Sequence, residues 1–351
     1  MLTLKGHAWF VNSASFSPDG ARVVSASQDG TAKVWDAKSG AELLTLKGHA
    51  SIVTSASFSP DGARVVTASY DRTAKVWDAK SGSEVLTLKG HTDRVNSAWF
   101  SPDGARVATA SGDGTAKVWD AKSGAEVLTL KGHTEGVYIA SFSGDGTRVV
   151  TVGEDDKAKI WDAKSGAEVR TLKGHTDDLT MAWFSPDGTR VVTASWDGTA
   201  RVWDAKSGAE VLTLKGHNGR VTSASFSGDG TRVLTVGEDD KAKIWDAKSG
   251  AEVRTLKGHA LGVTSASFSP DGTRVVTASY DRTAKVWDAR SGAEVLTLKG
   301  HNGRVYMASF SGDGTRVVTA SLDGTVKVWD STPVNREFLF QKPWSEIPAG
   351  K

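Results

Sequence analysis

The chain has 351 residues, 38% of them hydrophobic, no cysteine and a formal charge of +2. Charges of both signs are spread along it, which excludes bulk attraction to nucleic acid or to an anionic membrane as its organising interaction. No apolar stretch reaches the length of a bilayer span, the first residues lack a signal-peptide core, and the absence of cysteine suits a reducing compartment, so a cytoplasmic protein is expected.

Taken from the start, Leu2-Thr3-Leu4-Lys5 repeats the end of a phrase that recurs through the chain, and then comes a Gly-His pair at His7. All eight histidines sit in such a pair, each 42 residues after the last, and each is followed by a Trp-Asp pair, from Trp35-Asp36 to Trp329-Asp330. The chain is therefore one unit written eight times, and a unit of that size must stack on its neighbours to bury a core. In the first unit Val11 to Phe16 reads as a strand that ends at the turn Ser17-Pro18-Asp19-Gly20. A second strand, Ala21 to Ser27, runs to the turn Gln28-Asp29-Gly30, and a third, Ala32 to Asp36, to the turn at Lys38-Ser39-Gly40. The fourth, Ala41 to Lys47, alternates Leu44 and Leu46 with Thr45 and Lys47, as a half-exposed edge strand does. Val23 beside Val24 puts apolar groups on both faces of the second strand, which a sheet sandwiched between two others requires.

The Gly-His, the Ser-Pro-Asp-Gly turn, the aspartate before the third strand and the Trp-Asp end together resemble the WD40 repeat, over residues 1–330. The near-identity of the copies is similar to that of recently amplified WD40 arrays of bacteria, and a designed consensus repeat would look similar. The resemblance implies an all-β fold, a closed eight-bladed β-propeller of four-stranded antiparallel blades. It also implies a hydrogen-bonded structural tetrad of histidine, serine or threonine, aspartate and tryptophan in each blade. In unit one these are His7, Ser25, Asp29 and Trp35, and in unit two His49, Thr67, Asp71 and Trp77. Units three and four supply His91, Thr109, Asp113 and Trp119, then His133, Thr151, Asp155 and Trp161. Units five and six supply His175, Thr193, Asp197 and Trp203, then His217, Thr235, Asp239 and Trp245. The last two are His259, Thr277, Asp281 and Trp287, then His301, Thr319, Asp323 and Trp329. Eight equivalent histidines with committed partners are structural groups rather than metal ligands or general bases.

Comparing the copies with one another shows which columns the scaffold leaves free. The Ser-Pro-Asp-Gly turn changes only to Ser-Gly-Asp-Gly, whereas the three residues after Gly-His take seven different forms in eight units, from Ala8-Trp9-Phe10 to Asn302-Gly303-Arg304, which repeats Asn218-Gly219-Arg220. The residue before the tetrad aspartate is Gln28, Tyr70, Gly112, Glu154, Trp196, Glu238, Tyr280 and Leu322 in turn. A tetrad histidine must touch its aspartate, so both variable loops belong at one end of each blade and the constant turns at the other. All four tyrosines, Tyr70, Tyr138, Tyr280 and Tyr306, fall in variable columns. Trp99 and Trp183 stand in a strand column otherwise filled by serine, where filling space between blades or near the channel is the plainer reading.

Charge divides the variable face into sectors. Glu135, Glu154, Asp156, Asp177, Asp178, Glu238 and Asp240 form an acidic arc around Trp196, and Arg72, Arg94, Arg282 and Arg304 accompany Trp9, Phe10, Tyr70 and Tyr280. Aromatic and arginine side chains are the anchors interfaces favour. An acidic arc about an indole suits a lysine or arginine, with a cation–π contact of about 0.5–2 kcal/mol, although solvated surface carboxylates are the plain alternative. The expected function is a monomeric, non-catalytic interaction module that binds a protein or peptide on this face, with no cofactor, no metal and no nucleic-acid or membrane partner. The alternative is a multivalent binder of small ligands or carbohydrate in repeated pockets between blades. Catalysis by Glu154 with Glu238, or Asp177 with Asp178, would lack a nucleophile or phosphate loop beside them. The ring is expected to close through Leu2-Thr3-Leu4-Lys5 rather than Arg336 to Phe340, leaving 331–351 as a tail, and a start in mid-repeat suggests a piece of a longer chain.

Overall fold

The structure, a computed structural model, describes residues 1–332. Among these, 32 strands and no helix form eight four-stranded sheets, each antiparallel throughout. The first sheet joins Val11–Phe16, Arg22–Ser27, Thr31–Asp36 and Glu42–Lys47 in that order, and the next six repeat it. The second strand starts one residue later than the pattern suggests, because the Ala21 N–H is held by the Asp19 carboxylate and belongs to the turn. The third starts one residue earlier, since Thr31 already pairs with Lys47.

The last blade is completed from the other end of the chain. Its sheet contains Val305–Phe310, Arg316–Ser321, Val326–Asp330 and, outermost, Leu2–Leu4, paired as Leu2 with Val328, Thr3 with Lys327 and Leu4 with Val326. The N-terminal strand therefore closes the ring. The tail prolines Pro333, Pro343 and Pro348, Trp344 and the rival closing segment 336–340 lie outside the described residues.

The core lies between blades. At the closing seam Val11, Val23 and Trp35 of the first blade pack with Val318, Ala320, Val326 and Val328 of the eighth and with Leu4. Equivalent clusters fill the other seven seams, each centred on a Trp-Asp tryptophan. Val23 and Val24 are both fully buried, one in each of two adjacent seams. The inner strands are the first of each unit, and each touches the inner strands of neighbouring blades, the first touching the last.

At the constant-turn end an arginine latches each blade to the next. Arg22 donates to the carbonyls of Gly62 and Ala79 at 2.7 and 2.8 Å and lies 5.0 Å over the Phe58 ring. The equivalents recur round the ring to Arg316, which reaches back to Gly20 and Ala37 at 2.8 and 3.3 Å and covers Phe16. Only a residue free to adopt positive φ suits Gly20, at φ 69°, and its backbone thereby presents the carbonyl that Arg316 takes.

Candidate protein-binding face

The tetrad positions meet in all eight blades. Histidine Nδ1 lies 2.7–2.9 Å from the aspartate, Nε2 2.7–2.9 Å from the serine or threonine oxygen, and the indole N–H donates to that oxygen at 2.8–2.9 Å. A carboxylate only accepts, so Nδ1 carries the proton, Nε2 accepts from the hydroxyl, and the hydroxyl accepts from the indole. The chain of donors is complete with a neutral imidazole. Burial accordingly pushes His7, His49, His91, His175, His217 and His259 below the ordinary histidine range, against the pull of the aspartates. Burial also opposes ionisation of Asp29, but the Thr31 hydroxyl, the Ala8 N–H and the His7 ring outweigh it and hold that carboxyl low.

The Thr31 hydroxyl is a fifth member that sequence reasoning missed; it donates to Asp29 at 2.6 Å, as its equivalents do in five other blades. In blades four and six lysine replaces it. Lys157 and Lys241 place their ammonium groups 3.7 and 3.4 Å from Asp155 and Asp239.

Above the tetrads one backbone hydrogen bond ties the two variable loops of each blade. The residue before the tetrad aspartate donates its N–H to the third residue after the histidine: Gln28 to Phe10, Tyr70 to Ile52, Trp196 to Asp178, Tyr280 to Gly262, with the rest alike. Tyr70 and Trp196 therefore occupy the same rim. None of the sixteen candidate partner-binding residues is buried, and Trp9 is 58% exposed.

Four rim positions adopt a costly backbone. The turn residue after the tetrad aspartate has positive φ throughout, and it is glycine in blades one, three, five and eight. In the others it is Arg72 at 71°, Asp156 at 56°, Asp240 at 64° and Arg282 at 71°. A side chain in this conformation costs roughly 1–2 kcal/mol, less for aspartate. The scaffold asks for glycine; half the blades carry charge instead.

The sectors are partly self-satisfied. Asp156 of blade four meets Asp177 and Asp178 of blade five, with carboxylate oxygens within 4.8 Å of one another, a set that could hold a cation or a basic head group. Burial, then the charges of Asp156, Asp177, Glu154 and Glu135, push the Asp178 carboxyl above its ordinary range. Burial and Glu154 push the Tyr138 phenol up to about 12. Glu154 also accepts from Arg94 at 3.2 Å, and Arg94 lies 5.8 Å over the Tyr70 ring. The Trp196 face is not open as a cation seat, because Arg220 of the next blade lies 4.1 Å over it. Arg220 was missed because its partner comes from a neighbouring unit. Between these blades a cavity of about 650 Å³ is lined by Trp196, Arg201, Lys215, Arg220 and Glu238 among others. Asp156, Asp177 and Asp178 cluster, while Glu238 and Asp240 of blade six follow the Arg220–Trp196 pair in order around the ring. Across the ring, Arg304 lies 4.8 Å over Tyr280, whose ring meets Tyr306 edge to face at 5.9 Å, and Trp9 meets Phe10 at 6.2 Å. Arg72 and Arg282 are exposed on the same rim.

The WD domain, G-beta repeat family model matches the chain eight times, at residues 1–36, 40–78, 82–120, 124–162, 166–204, 208–246, 250–288 and 292–330. The chain belongs to the WD40 family. WD40 propellers are typically non-catalytic scaffolds for protein interaction. Periodic tryptophan protein 2 of Saccharomyces cerevisiae is 55% identical over 40 residues, 11% of this chain and 4% of that protein, so the likeness is of about one repeat. The crystal structure of the computationally designed Ika8 protein matches at a TM-score of 0.84 and 34% identity, over 93% of this chain and 98% of that one. Among the described residues no helix is long and apolar enough to cross a membrane.

Proposed function

We propose that this WD40 propeller is a non-catalytic module whose variable rim takes one protein or peptide segment, with a basic side chain seated among Asp156, Asp177 and Asp178. The observation that carries it is the placing of Arg72, Asp156, Asp240 and Arg282 at turn positions where the fold favours glycine. Backbone strain kept for charged side chains on one rim points to use of that rim. The raised carboxyl of Asp178 supports the seat, since an incoming ammonium or guanidinium relieves the repulsion that raises it. Arg304, Tyr280, Tyr306 and Leu261 on the far side offer an aromatic and basic anchor for the remainder of the segment.

The test is a panel of lysine- and arginine-bearing peptides titrated against the chain and against its Asp177→Asn/Asp178→Asn variant. One peptide per chain, bound at least tenfold more weakly by the variant at an unchanged melting temperature, is expected. Equal binding by the variant, or by peptides whose basic residues are replaced with norleucine, overturns the seat. Several equivalent sites per chain would instead favour the multivalent small-ligand reading.

A further inference from the structure

The rim of constant turns is not eightfold either. The residue before the last phenylalanine of each inner strand is serine in six units, and tryptophan, as Trp99 and Trp183, in units three and five. Blade four stands between those two, so their rings can touch only by leaning into the central channel. They meet there edge to face, with centroids 5.8 Å apart and planes at 82°. Against them lies a cavity of about 380 Å³, bounded by Phe58, Phe100, Phe142 and the turn prolines. No charged side chain lines it.

Three polar groups at its wall lack partners. Ser57 and Ser141 flank Trp99 from blades two and four; they are 7% and 3% exposed, and neither hydroxyl makes a hydrogen bond. The Trp99 Nε1 has no acceptor, whereas Trp183 Nε1 points to the Met181 sulfur at 3.3 Å. Buried polar groups are normally paired, and a tryptophan N–H seeks an acceptor when buried. Apolar walls with a few convergent polar atoms at this volume are the pattern of small-molecule pockets.

We propose that this cavity is a binding site for one small, uncharged, planar aromatic molecule bearing a hydroxyl or carbonyl oxygen. The ring system stacks on the indole pair, and the oxygen accepts from Trp99 Nε1 or a serine hydroxyl. A charged ligand would find no countercharge, and the volume is too small for a folded partner. The site opens at the rim of Ser-Pro-Asp-Gly turns, away from the variable loops, and is independent of the peptide reading.

The probe is 2-naphthol, titrated calorimetrically into the full chain and into Trp99→Ser and Trp99→Ser/Trp183→Ser variants, which install the residue six units already carry. Expected are one probe per chain, at least tenfold weaker binding in both variants at an unchanged melting temperature, and weaker binding of 2-methylnaphthalene, which lacks the oxygen. Equal affinity in the variants, several equivalent sites, or no binding at millimolar probe overturns the proposal. Binding that appears only after residues 333–351 are removed also overturns it, by giving the cavity to the chain's own tail.

Discussion

The two rims of this disc are built from the same eight sheets under opposite constraints. At one, each arginine of the Arg22 type reaches into the next blade, caps a phenylalanine and satisfies turn carbonyls, so a change there is felt across a seam. At the other, the tetrads finish the polar accounting below the loops, and what stands above them is tied by one backbone hydrogen bond between the two loops of each blade and by the N–H after each histidine donating to the tetrad aspartate. Substitution at the first rim costs stability; at the second it costs little and can even gain. Sequence diversity gathers where the sheets no longer depend on it.

The comparison breaks first under acid, because the tetrads hold six histidines in the neutral form by burial. Their folded pKa values lie below the unfolded value of 6.5, so below about pH 6.5 the unfolded chain binds protons the folded one refuses. From about pH 6.5 down to the folded pKa of each such histidine, stability falls with pH by at most about 1.4 kcal/mol per pH unit, and the loss levels off below it. Melting temperature measured from pH 7.5 to 5 is expected to drop steeply, and a flat profile would mean the imidazoles titrate freely.

Next in size is Trp203→Ala. It removes a side chain that is 1% exposed together with its hydrogen bond to Thr193, at a cost of about 3–5 kcal/mol in chemical denaturation. Arg64→Ala loses two bonds to the Gly104 and Ala121 carbonyls and is expected to cost about 1–3 kcal/mol, leaving peptide capture on the opposite rim unchanged. The smallest effect has the opposite sign. Arg72→Gly and Arg282→Gly, which restore the residue of four other blades, are each expected to stabilise by about 1 kcal/mol.

Much of this was legible in the residues. The resemblance to the WD40 repeat implies every member of the tetrads, which stand at the same offsets in all eight units, and Leu2-Thr3-Leu4 announces the closing strand by repeating an outer-strand phrase. Contacts between units were harder to read. An arginine stands at the Arg22 position in every unit, but its hydrogen-bond partners are the backbone carbonyls of Gly62 and Ala79 in the next blade, which no side-chain column marks. Arg220 and Trp196 share no column, and Trp99 reaches Trp183 over an intervening blade. The acidic arc looked continuous because the sequence gives order around the ring but not side-chain direction; Arg220 over Trp196 interrupts it between blades five and six, and Arg94 on Glu154 occupies its other end.

The most direct test of the division between rims is one variant measured twice. Arg72→Gly, Asp156→Gly, Asp240→Gly and Arg282→Gly are combined, and both melting temperature and affinity for the captured basic peptide are determined. The account predicts a higher melting temperature with at least tenfold weaker capture. Unchanged capture together with a lower melting temperature would show that these charges serve the fold and not a partner.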